Sequence, residues 1–252
     1  MEYLLQLLDL SWMQLAAVII AAFLVGFAKT GIGGIVLIAI PILASAFGGK
    51  DSTGILLPML LMGDVFAVWY YRKSVIWKNV ATPLPWAIIG LAIGAVVGNY
   101  ISDKTFIIFI GVIILFCLII LVIMEKRDKN LNVPNAAWFY ILVGILCGFS
   151  SMIGNAAGPI FSVYLLALGF KKNNFMGTNS WFFFIINSLK VPLQIFVWHN
   201  IDWRTLSIAA LMLPVLVIGA VLGFIVLKKI NDKIFRYIVI GMTALAALRL
   251  FI

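Results

Sequence analysis

Acidic residues, histidine and cysteine are scarce in this chain. Asp and Glu number nine, His one and Cys two in 252 residues. Two cysteines, Cys117 and Cys147, both in apolar runs, make no disulfide framework and no metal-ligand spacing. One histidine, His199, beside Asn200 at the edge of an apolar run, gives no catalytic constellation and reads as interfacial. Neither a phosphate-binding P-loop nor an H-E-x-x-H helix occurs. An ATP-driven machine, a metal-dependent membrane hydrolase or any other enzyme therefore lacks visible groups, and no cofactor or metal is expected. Charged residues of both signs reach only 11%, against about 25% in an ordinary soluble domain. No stretch between apolar runs is long enough for a soluble domain.

What remains is grease. Hydrophobic residues make up 64% of the chain, and its mean hydropathy is +1.17. Ten apolar runs follow one another: 12–28, 33–47, 53–71, 81–101, 104–124, 137–153, 157–170, 174–198, 205–227 and 233–251. At about 20 residues per crossing they predict an all-α polytopic membrane protein. Runs 33–47 and 157–170 are short and are expected to be re-entrant or tilted. The first run lacks a preceding basic segment and is expected to stay in the membrane.

The runs fall into two sets of five. Gly26-Phe27 matches Gly148-Phe149, and Ile32-Gly33 matches Ile153-Gly154. Gly94–Gly98 matches Gly219–Gly223, and Asp103-Lys104-Thr105-Phe106 matches Asp232-Lys233-Ile234-Phe235. The shared order implies duplication: a first repeat over 1–124, a cytoplasmic linker over 125–135 and a second repeat over 136–252. Five runs per half reverse the second half, so the repeats are inverted, a 5+5 helical bundle. The net charge of +9 sits in short loops and sets orientation rather than nucleic-acid binding. Loops after odd-numbered runs carry twelve Lys and Arg, and the other side carries four. The odd loops are thus expected in the cytoplasm and both termini outside, in an inner membrane.

Two glycine-rich breaks interrupt the runs at matching places: Gly26 to Gly34, and Gly148 to Pro159. Lipid offers no partners to a broken helix, so such breaks survive only within protein or beside water, and paired breaks point to a transporter site. In the first, Lys29, Thr30, Gly31, Gly33 and Gly34 combine a cation, a hydroxyl and free backbone N–H groups, which suit an anion. The second offers Ser150, Ser151, Asn155 and Gly158. Lys190 lies deep within run 8, where a charge marks function. Asn187 shares its helical face, Thr178 and Asn179 lie nearer the start of the run, and Pro192 frees a carbonyl beside it. Asp64 is 126 residues before Lys190, the same offset as Trp77 and Trp203. It is expected to neutralise Lys190 in the empty site, or to carry a coupling proton or gate. Trp69, Tyr70, Tyr71, Trp77, Trp138, Trp198 and Trp203 at run ends read as an aromatic belt against membrane lipid. Trp181-Phe182-Phe183-Phe184 reads as packing against lipid or bundle.

At these residues the chain resembles the TauE/SafE family of sulfite exporters. Gly31, Gly33 and Gly34 look like the family's Gly-x-Gly-Gly element, and Met152–Pro159, Gly177-Thr178 and Asn187–Pro192 look like one branch of it. Asn155-Ala156-Ala157 stands where the family has a second glycine cluster, so the second break is expected to bind differently. The resemblance implies a secondary carrier, and export, of sulfite or an organosulfonate such as sulfoacetate. Lys29, Lys190 and break N–H groups would hold the anion, and Thr30, Asn155 and Asn187 would orient it. A proton or sodium ion is the expected coupling partner, and a homo-oligomer is compatible with the sequence. A carrier of another small anion, or a passive anion channel, would use the same residues.

Overall fold

A computed structural model describes residues 10–31, 33–100 and 137–249. Run 104–124, the linker 125–135 and Cys117 lie outside them. The described residues form helices: α1 Trp12–Thr30, α2 Val36–Phe47, α3 Gly49–Tyr71, α4 Trp77–Ala81, α5 Leu84–Val97, α6 Ala137–Gly154, α7 Ala157–Ala167, α8 Lys172–Phe196, α9 Trp203–Leu211, α10 Leu213–Lys229 and α11 Asp232–Arg249. A 3-10 turn, Gly33–Ile35, leads into α2. Nine of the ten apolar runs coincide with these helices; the tenth is the undescribed one.

Four spans pass a length and apolarity test for crossing a membrane: α1, α3, α4 with α5, and α6. The bent pair α9 and α10, which meet at 50°, makes a fifth. α2 and α7, of 12 and 11 residues, reach about 16–18 Å at the helical rise, well short of a core of about 30 Å. Both are short, as their short runs suggest. α8 has 25 residues but is too polar for the test, because its inner face carries Asn179, Asn187, Lys190 and Gln194, all buried.

Helices early in the chain pack on helices late in it. α1 packs along α10, α6 packs along α5, and α3 lies against α8. The crossings are close because glycines remove the side chain that would separate the backbones. A Cβ on Gly26 would fall on the Leu216 carbonyl of α10, and one on Gly148 on the Ala87 carbonyl of α5. These two glycines, matched in sequence at the start of each break, are thus packing residues within continuous helices. The breaks proper begin later, at Gly31 and Asn155. Asn155 takes a left-handed φ of 53°, which a short carboxamide tolerates better than most side chains.

Two apolar clusters flank the centre. One gathers Val18, Ala22, Leu43, Leu56 and Met59 around α1, α2 and α3. The other gathers Leu91, Phe161, Tyr164, Phe182 and Ile186 around α5, α7 and α8, with Phe161 and Phe182 stacked at 3.9 Å. Of the expected aromatic belt, Trp69, Tyr70, Trp77, Trp138 and Trp203 are exposed. Tyr71 and Trp198 are not: both are buried, donating to the Thr30 carbonyl at 2.9 Å and the Ala95 carbonyl at 3.0 Å. Their polar ends were needed for helix ends inside the bundle.

Candidate anion site at the paired breaks

The two breaks, remote in sequence, line one small cavity between the clusters. Its walls include Lys29 and Gly33 from the first break, Ser151, Asn155 and Gly158 from the second, and Asn179, Phe183 and Asn187 from α8. About 40 Å³ of it is open to the centres of water-sized molecules. One water needs about 10–15 Å³ on that measure, so the space suits a few waters or one small oxyanion. The starts of α2 and α7 both border it, through Gly33 of the 3-10 turn with Val36 and Leu37, and through Gly158 with Ser162 a turn further in. Neither helix start has a side-chain cap. The N–H groups of an uncapped first turn seek an acceptor, and the helix dipole favours a negative one.

Three buried charges meet here. Lys29 Nζ lies 2.6 Å from Asp64 Oδ1 and 5.0 Å from the centre of the Phe183 ring. The Asn187 amide donates to Asp64 Oδ2 at 2.7 Å. Lys190, fully buried, donates to Asn155 Oδ1. An ammonium only donates, so the amide oxygen of Asn155 must face Lys190. Asn155 Nδ2 is then left as a buried donor without a partner among the described residues, as is the Ser150 hydroxyl. Lys29 and Asp64 compensate each other. Lys190 has a neutral partner and lies behind Asn155 rather than on the cavity wall; with all three groups ionised, these side chains carry one net positive charge.

This arrangement corrects part of the sequence reading. Asp64 forms its ion pair with Lys29, not with Lys190. The 126-residue offset in sequence suggests a Lys190–Asp64 pair, but it is Asn187, one turn before Lys190, that faces Asp64. The long stem of Lys29, at the end of α1, reaches the carboxylate first. Asn187 accordingly serves Asp64 rather than standing free beside Lys190. Thr30 does not line the cavity. Its hydroxyl donates to the carbonyls of Ala220, at 2.7 Å, and Gly26, at 3.0 Å, fastening α1 to α10. Thr178 accepts from the Ile76 N–H at 3.1 Å, fixing the loop between α3 and α4. Gly31 abuts Gly223, and Gly34 abuts Met242; both are packing positions. Gly33 and Gly158, with nothing within 4 Å of where a Cβ would stand, keep the cavity open.

Residues that sequence reasoning passed over also belong here. Phe183 lies under Lys29, and Ser162 lines the wall. Ser162 lies five residues after Ala157, inside α7, and only its burial signals it. Among the described residues, no group of three or more His, Cys, Asp or Glu could hold a metal ion.

A family model described as "Sulfite exporter TauE/SafE" matches residues 18–250. No curated protein and no solved structure matches the chain. The matched span contains both breaks and every residue of the cavity wall. The chain belongs to the TauE/SafE sulfite exporter family, and is a membrane transporter of anions of the sulfite type.

Proposed function

We propose that this protein is a secondary carrier that exports a small sulfur oxyanion, sulfite or a sulfonate such as sulfoacetate, from a single site between the two breaks. One observation carries the reading: both breaks, with their uncapped helix starts, border one cavity, and Lys190, held by the neutral Asn155 of its wall, stands directly behind it. An anion entering it accepts from Asn155 Nδ2, meets the first turns of α2 and α7 and is drawn by the Lys190 charge behind Asn155. Lys29 and Asp64 stay paired in the empty site; Asp64 releases Lys29 toward the anion when it takes a proton, which couples the two movements. Inverted repeats rocking about α3 and α8 would expose the site alternately to each side. The loop charges favour termini outside, and the family description, sulfite exporter, supports export as the direction.

The test is thermal shift of the purified protein with sulfite, sulfoacetate, sulfate, thiosulfate and simple carboxylates. A ligand bound only by the folded state raises apparent stability by mass action. A selective shift with sulfite or sulfoacetate, lost in Lys190→Met, supports substrate class and site together. A shift from carboxylates alone refutes the sulfur assignment.

A further inference from the structure

Beyond Lys190, α8 continues its polar face toward the end of the bundle away from the Lys171-Lys172 loop. Gln194 is one turn on, fully buried, and donates to Thr53 Oγ1 of α3 at 3.4 Å. Asn200 in the following loop is also buried and donates to the same oxygen at 3.0 Å and to the Lys50 carbonyl at 2.8 Å. Gln194 Oε1 and Asn200 Oδ1 are buried with no hydrogen bond among the described residues. Unsatisfied carboxamides inside a membrane protein are costly and mark ion and substrate routes. At the outer rim Lys50 Nζ donates to Asn99 at 3.1 Å and lies 5.4 Å from the Trp198 ring. Polar groups thus run from Lys190 through Gln194, Thr53 and Asn200 to an exposed lysine.

The same residues close that route. The position of a Cβ on Gly54 is taken by the Asn200 carbonyl, so the loop seats directly on the α3 backbone. Each of the two helices carries an interior proline between the central charges and this contact, Pro58 in α3 and Pro192 in α8. Proline removes a helical hydrogen bond and is where helices bend. We propose that Thr53, Gln194 and Asn200 form the outer gate of the anion path, closed in this structure and hinged at Pro58 and Pro192. The proposal rests on the transport reading above. Opening parts Gln194 and Asn200 from Thr53, and the freed amide N–H groups receive the anion on its way from Lys190 to Lys50.

The test uses Thr53→Cys with Gln194→Cys in a background where Cys117 and Cys147 are Ala. The pair is joined by a short bifunctional thiosulfonate, and sulfoacetate is the probe because sulfite cleaves disulfides. The gate predicts at least a tenfold loss of sulfoacetate counterflow in proteoliposomes relative to the same protein after reduction. The sulfoacetate thermal shift should persist. Undiminished counterflow, failure to cross-link, or loss of the shift with the flux overturns it. Absence of any shift in the wild-type protein instead indicts the central site. In that event the gate is read without a ligand. Adding Thr53→Val to single-cysteine Gln194→Cys should speed labelling by an impermeant thiosulfonate at least fivefold from one membrane face only. Equal labelling with and without Thr53→Val, or from both faces, overturns the gate.

Discussion

Replacing Lys190 with methionine isolates the charge that defines the site. Methionine keeps most of the lysine stem's volume and needs no hydrogen bond, so the change removes a charge without opening a cavity. At about 4 Å and an effective dielectric of about 20, a unit-charge pair is worth about 4 kcal/mol. At about 1.4 kcal/mol per decade, anion affinity should fall by about a thousandfold. The empty protein should not suffer. Lys190 is fully buried on a neutral partner, and exchanging buried ionic groups for apolar ones is often neutral or stabilising. Titration calorimetry with sulfite reads the affinity, and a melt without anion reads the fold. Affinity within threefold of wild type, in a variant that melts like wild type, would refute the reasoning. A variant that unfolds without anion would show instead that Lys190 holds a structural pair.

Asp64→Asn leaves Lys29 buried without its counter-charge and should cost about 3–5 kcal/mol of stability in the empty protein; Lys29→Met added to it should restore most of the loss, and equal melting of all three proteins would remove the ion pair from the account. If Asp64 carries the coupled proton, Asp64→Asn carriers that survive reconstitution should move anion without response to a pH gradient, whereas an unchanged response makes Asp64 structural. Gly158→Ala has room for its methyl but points it at the cavity, so it should weaken sulfite binding while the melt holds; Gly26→Ala, with no room against Leu216, should lower the melt, and the reverse pattern would be contradictory. Thr30→Val loses the bonds to Ala220 and Gly26 and should cost about 1 kcal/mol with sulfite affinity unchanged.

The helices were legible because apolar runs of membrane length leave little choice of structure: nine runs, the two short ones among them, appear where the hydropathy places them. The site's location was legible for the same reason, since breaks such as Gly31–Gly34 and Asn155–Gly158 need a protected environment. What was not legible is pairing across helices. Hydroxyls on Thr30 and Thr178 look like ligands in sequence, yet both satisfy backbone groups of neighbouring elements. The partner of Asp64 depends on which long side chain reaches it, and spacing within repeats carries no information about reach. Gln194 could have been found, being four residues after Lys190 and seven after Asn187 on one helical face. Thr53 and Asn200 could not, because only the packing of α3 on α8 brings them to it.

The central claim is that one anion is held between the two breaks at Lys190. Selenite, a heavier analogue of sulfite with a strong anomalous signal, tests it most directly in an experimental structure of the protein. The account predicts one selenium peak per chain, in contact with Lys190 and Asn155 and bordered by the first turns of α2 and α7. A peak elsewhere in the chain, with this cavity empty at saturating selenite, would contradict it.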